Sequence, residues 1–241
     1  MNRTVAIFLV ISVTSSLAQE SSVSEILQRV QEAHGGAAFS KATFSIQVSG
    51  SYDVAGSLRS FEIIKHGHQI RQTITIGKEE YSTTWNGTDA WSAGSDGPAE
   101  KLDPKAAQLF GEEQSVFFSS LLDAPKNGNE VKLIGTKDLD GMPAIHLQTG
   151  LKSGRVQDWY VDPVTYRVIK KVVPGWSDWL GDHLIVYWFL EFKMFSGMLL
   201  PSFYEREHNE TFIHSYKVDR VVINPKFDDQ IFVLPKDLKK S

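Results

Sequence analysis

The chain of 241 residues contains no cysteine. That excludes a disulfide framework, a Cys-ligated zinc or iron–sulfur site and a thiol nucleophile, and leaves only His, Asp and Glu for any metal. An excess of positive charge is missing too, since 25 Lys and Arg stand against 29 Asp and Glu. Without a positive field a nucleic acid is not an expected partner. No apolar run reaches the about 18 residues of a membrane-spanning helix. Common enzyme motifs are absent as well: there is no G-x-S-x-G elbow, H-E-x-x-H zinc helix, phosphate-binding loop or dinucleotide glycine fingerprint. Nor is there an internal repeat or a low-complexity linker, so the bulk of the chain reads as one domain.

What is present begins with a targeting pattern. Asn2 and Arg3 precede an apolar run from Thr4 to Val13, and Ser16-Leu17-Ala18 places small residues at the positions flanking a cleavage site. Residues 1–18 are therefore expected to be a signal peptide cut after Ala18, with residues 19–241 the exported domain. Gln19 stands where a lipid-modified signal requires Cys. In an oxidising compartment a domain of this size can dispense with disulfides, because its core buries enough apolar surface.

Ser22 and Glu25 have the spacing of a capping box, and Val23, Ile26, Leu27 and Val30 form a helical stripe ending at Gly35-Gly36. The period then changes to two. Strands are expected near 44–48, 57–65, 68–76, 79–85 and 89–93, separated by Gly67, Gly77 and Asn86-Gly87. Asp103-Pro104 starts a second helical stretch that reaches Leu122, with Gly111 expected to kink or divide it. Strands resume near 131–137, 144–149, 156–161, 167–173, 183–195, 200–206 and 211–222. Such short connections make an antiparallel meander. The expected class is α+β: a single curved antiparallel sheet of about a dozen strands, an open half-barrel, with two or three helices in its concavity and an apolar cleft between them.

Few residues invite chemistry. His66 and His68 would share a strand face but lack a third ligand, and a solvated hairpin is the plainer reading; no metal site and no cofactor are expected. Asp178, Asp182 and His183 form a possible hydrolytic cluster in a loop, without a recognisable nucleophile, so an enzyme is the least favoured reading. Aromatic residues carry more. Trp188, Phe192 and Met194 share one parity of an apolar strand and Tyr187, Phe189 and Phe195 the other, as in a strand buried on both faces or lining a cavity. Phe44, Ile46, Phe61, Ile63, Trp91, Phe117, Trp159, Trp188 and Phe192 are the candidate lipid-cavity residues. Trp176 and Trp179 are placed on a loop, as a rim that touches lipid or a partner.

The stretches YVDPVTYRVIKK (160–171), FKMFSGMLLP (192–201) and VVINPKFDDQIFVLP (221–235) resemble, in order, the exported outer membrane lipoprotein-sorting group of the LolA/LolB-like superfamily. His34-Gly35-Gly36 and the strands up to Trp91 fit the same pattern more loosely. The motif residues serve turns and strand starts: Asp162-Pro163, Gly197, Pro201, Asn224-Pro225 and Asp228-Asp229. The resemblance implies a half-barrel that holds an acyl chain under helices, without catalysis. It also implies an arginine latch on the helical lid, for which Arg71 is the nearest match. The expected function is a periplasmic, monomeric carrier or chaperone for a lipid or lipidated protein, with transient contacts to a membrane or envelope protein. The alternative is an envelope scaffold whose cleft is filled by its own side chains.

Overall fold

The computed structural model describes residues 22–36, 38–39, 45–112, 116–151, 154–177, 180–209, 212–236 and 238. The expected signal peptide, Phe44, Asp178 and Trp179 lie outside them. Helix α1 (Val23–Ala33) opens the described chain, with both arms of the Ser22/Glu25 capping box in place. Five strands follow as a meander: β1 (Ser45–Val54), β2 (Ser57–His66), β3 (Gln69–Ile76), β4 (Glu79–Trp85) and β5 (Ala90–Gly94), with the short β6 (Glu100–Lys101) on the edge. Helices α2 (Pro104–Glu112) and α3 (Ser119–Asp123) lie in the crossover to the second meander. That meander comprises β7 (Val131–Leu139), β8 (Met142–Gly150), β9 (Val156–Val161), β10 (Val168–Ser177), β11 (Gly181–Phe195), β12 (Met198–His208) and β13 (Phe212–Ile223), and a 3-10 turn (Asp229–Phe232) follows.

All strands join one antiparallel sheet of thirteen, in the order β6-β5-β4-β3-β2-β1-β13-β12-β11-β10-β9-β8-β7, and it does not close. The first and last strands pair in the middle. The two free edges, β6 and β7, are therefore neighbours in sequence, and the segment joining them must travel from one edge of the curled sheet to the other. Its side chains enter the main core: Val116, Phe118, Leu121 and Leu122 pack with Ile46, Val48 and Phe61 of the first meander and Trp159, Val161 and Phe189 of the second. Each of these large side chains contributes about 1.5–3 kcal/mol by leaving water.

Irregularities in the ladders bend the sheet. Register shifts occur at Ser49/Gly50, Leu133/Gly135, Val168/Lys170 and around Glu191. At Gly50 the chains approach so closely that a Cβ would stand 1.9 Å from the Lys217 carbonyl oxygen. Only glycine fits there. The β12–β13 ladder runs only from Phe203 to His208, so the first part of β12 has no β13 partner. The end of α1 fills this gap. The His34 carbonyl accepts the Leu199 N–H (3.3 Å). In the ring, Nδ1–H donates to the Leu199 carbonyl (2.8 Å) and Nε2 accepts from the Val168 N–H (3.3 Å). His34 is fully buried and its ring lies 3.9 Å from that of Phe118, so one side chain ties α1, β10, β12 and the crossover together.

Three expectations are revised. The helical stretch is divided into two helices as expected, but not at Gly111, since α2 continues through it to Glu112. Pro174 and Gly175 do not end their strand: β10 runs on to Ser177, past the last residue paired to β9, where a missing N–H costs no ladder bond. Pro201 lies within an interior strand, on the stretch of β12 that lacks β13.

Burial pushes the pKa of His34 from its ordinary 6.5 down to about 4, with Arg167 adding to the fall and the Leu199 carbonyl opposing it. The fold thus favours the neutral ring, whose Nε2 must stay an acceptor for Val168. The resulting stabilisation is complete above about pH 6.5 and is lost as pH falls toward 4, a change of about 3 kcal/mol. Urea melts of the wild type and of His34→Gln should therefore differ most at neutral pH and converge as pH approaches 4. A Gly50→Ala variant should lose at least about 2 kcal/mol of unfolding free energy at neutral pH, because the β1–β13 seam must open to admit the methyl group.

Candidate functional site

In an antiparallel pair, directly opposed residues share a face, so the ladders define which side chains line the concavity. One row across it reads Trp159, Lys171, Tyr187, Arg206, His214 and Val54, from β9 to β1. The next reads Phe189, Tyr204, Tyr216, Tyr52 and Arg59, from β11 to β2. In this second row Tyr204 and Tyr216 stack at 4.7 Å and Tyr216 and Tyr52 at 5.1 Å. Phe61, Ile63 and Ile74 continue the face along β2 and β3. Between these strands and the crossover lies a cavity of about 90 Å³, with Val116 and Phe117 on the crossover side. Phe117 sits over Phe189 and Tyr204 with both rings edge-on.

The cavity wall is aromatic and aliphatic with embedded cations. Lys171 is only 2% exposed, and its ammonium lies 5.2 Å from the ring centres of both Trp159 and Tyr187. The Arg206 guanidinium is 5.6 Å from the same Tyr187 ring. Glu62 also borders the space. On its strand it alternates with Phe61 and Ile63, and its carboxylate accepts the Gln47 amide. Burial, then Arg206, His183 and His214, push His208 down to about 4; burial with Arg206 and Arg59 lowers His214. Both imidazoles are neutral at neutral pH, which leaves Lys171 and Arg206 as the cations of the cavity wall.

The expected cavity residues separate into groups. Phe61, Ile63 and Phe117 line the space. Ile46 and Trp159 belong to the core of the same face, with Trp159 Nε1–H donating to the Thr149 hydroxyl (3.1 Å). Phe192 packs beside His34, ring centres 5.8 Å apart. Trp188 lies on the opposite face, in a smaller cluster with Tyr160, Leu139 and Ala144, and the Lys170 ammonium stands 3.9 Å from its ring centre. Trp91 is on that face too, in register with Thr84, Arg71 and Ile64. The register irregularity around Glu191 explains part of this division. It breaks the alternation of β11, so Trp188 and Phe192, of one parity in the sequence, serve different faces.

Arg71 does not reach the helices. Its guanidinium donates to the Ile231 carbonyl (3.4 Å) and fastens the C-terminal 3-10 turn to the outer face. The crossover is held by other contacts. Lys105 of α2 pairs with Asp182 (2.8 Å), and Ser120 of α3 donates to Gln157 (3.4 Å). Gly111 lets α2 settle on the Trp85 ring, which a Cβ would meet at 2.8 Å. Trp176 stands in β10 rather than on a loop, opposite Asp182, with the Lys105 ammonium 5.9 Å from its ring centre. Asp182 is thus engaged in an ion pair, while the His183 ring bonds the Gly181 carbonyl and His208. His66 contacts Ser45 and Phe227, and His68 is exposed. Among the described residues no group of three His, Asp or Glu could hold a metal.

Sequence reasoning missed Tyr52, Lys171, Tyr204, Arg206 and Tyr216, and singled out Tyr187 only by its parity on β11. The signal was parity: Tyr204 and Arg206 alternate in step with Met198 and Leu200, and Lys171 with Val173.

A thirteen-stranded open sheet crossed internally by helices has counterparts among solved structures. A LolA superfamily protein of Nitrosomonas europaea superposes with a TM-score of 0.59 over 89% of this chain and 99% of its own, at 13% identity. The chain has the LolA-like fold. A DUF1329 family protein of Desulfovibrio piger gives 0.55 over 86% and 94%, at 14% identity. A candidate outer membrane lipoprotein-sorting protein domain of Vibrio parahaemolyticus gives 0.52 over the same shares, at 10% identity. No family model and no curated protein matches the sequence. The resemblance read from residues 160–171, 192–201 and 221–235 therefore agrees with the LolA-like fold that these structures share.

Since Arg71 tethers the C-terminal turn, Arg71→Ala should lower stability by about 1 kcal/mol and leave acyl-probe binding unchanged. A paired urea melt and fluorescence titration measure both; a change in probe affinity would restore the latch.

Proposed function

We propose that this protein is a non-catalytic periplasmic carrier that holds an acyl chain of a lipid or lipidated protein on its concave face, after export and cleavage behind Ala18. The observation that carries the reading is the cavity between Phe61, Ile63, Ile74 and Phe189 on the sheet and Val116 and Phe117 on the crossover. Its walls need no special chemistry to attract lipid, because each buried CH₂ contributes about 0.8 kcal/mol. Space for a long chain comes from the crossover. Phe117 is a non-glycine residue at φ +59°, a conformation costing about 1–2 kcal/mol, so an entering chain that displaces its ring also relieves backbone strain. The lipoprotein-sorting description of one structural counterpart supports the same reading. No described helix is long and apolar enough to cross a membrane.

The scaffold reading rests on a different observation: Phe39 and Phe118 stack at 5.2 Å and, with Leu121, fill the part of the concavity next to His34. A wholly filled face would leave a protein-binding role for the rim around Trp176.

Uptake of an acyl probe separates the two. The delipidated protein should bind one C16 fluorescent fatty acyl probe, and Ile63→Trp with Ile74→Trp should weaken binding at least about tenfold, whereas Trp188→Ala should not. Absence of uptake by the wild-type protein would overturn the carrier reading.

A further inference from the structure

The outer face of the sheet is apolar in two places, and its own chain covers one of them. Over β2 and β3 the C-terminal segment lies on it, through Arg71 to Ile231 and through His66 to Phe227. Over β11 to β13 apolar side chains stand in solvent: Leu184 is 54% and Ile213 53% exposed, and Val186 and Trp188 are half-buried. The register makes them one patch. Val186 and Ile213 flank Glu207 of β12 in one row, and Trp188 and Ser215 flank Glu205 in the next. Leu184 to Trp188 extends about 14 Å along β11, the rise of about nine helical residues. A sheet face of this kind is stabilised by a second layer laid over it. Two carboxylates define the chemistry of that layer. Glu205 and Glu207 alternate with the inward Tyr204 and Arg206, so both face outward among the apolar side chains. Among the described residues neither has an ion-pair or hydrogen-bond partner. The cations beside them are engaged, since the Lys170 ammonium stands 3.9 Å from the Trp188 ring centre and Lys217 pairs with Asp219 (3.3 Å). A purely apolar cover would strip water from both carboxylates without replacing it, and an anionic lipid surface would be repelled.

We propose that the outer face of β11 to β13 docks an amphipathic helix of a partner protein that carries lysine or arginine beside its apolar stripe: the stripe covers Leu184, Val186, Trp188 and Ile213, and the cations pair with Glu205 and Glu207. Long Lys and Arg stems lie over apolar surface while their charged ends reach the carboxylates. Trp188 offers the large ring on which such interfaces anchor, and the complementary charge selects the partner. This face is opposite the cavity, so the inference is independent of the carrier reading and docking leaves the concave face free.

The test titrates the full-length protein into the fluorescein-labelled amphipathic peptide LKKLLKLLKKLLKL, and into its counterpart with glutamate at every lysine position, by fluorescence anisotropy at neutral pH. Salt is held at about 0.15 M, which screens the net charge of the chain beyond about 8 Å. The wild type should bind the lysine peptide at least about tenfold more tightly than the glutamate peptide. Glu205→Gln with Glu207→Gln, and separately Leu184→Ser with Ile213→Ser, should each weaken lysine-peptide binding at least about fivefold and leave uptake of the C16 acyl probe unchanged. Equal affinity of the wild type for the two peptides, or undiminished binding by both double variants, would overturn the proposal. So would cosedimentation with phosphatidylcholine vesicles that is lost in Leu184→Ser with Ile213→Ser while peptide binding persists, because the face would then meet lipid. The wild-type comparison needs no variant, and urea melts confirm that each double variant folds. Loss of acyl-probe uptake by the wild type would remove the carrier reading and leave this one standing.

Discussion

The pairing of the first strand with the last governs this molecule. Because β1 lies against β13, the strands that precede and follow the helical crossover become the two outer edges of the sheet, and residues 102–130 must bridge them. Laid flat, the thirteen-stranded sheet would hold those edges about 58 Å apart. Twist and bulges curl it until a short crossover with two helices can pass through the concavity, burying Phe118 and Leu121 as it goes. The cavity is a by-product of this path: it remains where the crossover passes above the sheet at Phe117 without filling the space below.

Two further features stabilise the arrangement at the places where the sheet is incomplete. His34 completes β12 where β13 diverges, and it does so only as a neutral ring, with one nitrogen donating and the other accepting. Lys105–Asp182 and Ser120–Gln157 fasten the crossover near the second meander. The exposed ion pair contributes little to stability by itself. Its effect is to fix where α2 lies relative to the β10–β11 hairpin. Between these fastenings Val116 and Phe117 border the cavity, Phe117 lying over Phe189 and Tyr204 with a strained backbone.

Much of this architecture was legible in the residues. The Ser22/Glu25 spacing located α1, the period-two runs and their glycine or Asn-Gly turns located the hairpins, and Asp103-Pro104 located the start of α2. The faces were harder to read. In β11 both parities are apolar, since one packs under the crossover and the other forms the cluster of Tyr160 and Trp188. Composition cannot rank two buried faces, and the irregularity around Glu191 shifts the alternation in the middle of the strand. Residue type misled in the same way at the site: choosing Trp and Phe favoured Trp91 and Trp188, which serve the outer face, over Tyr187, Lys171 and Arg206, which border the cavity. The resemblance implies a latch at Arg71, but its position on β3 directs it to the face covered by the C-terminal turn.

The central claim is that a guest occupies the concave face beneath the crossover, and paramagnetic broadening by a bound doxyl-labelled stearate measures this most directly. With the label near the chain end, methyl signals of Ile63 and Ile74 should broaden strongly, while those of Ile169 and Val172 on the opposite face keep their intensity. Broadening at Ile169 and Val172, with Ile63 and Ile74 unchanged, would contradict the account.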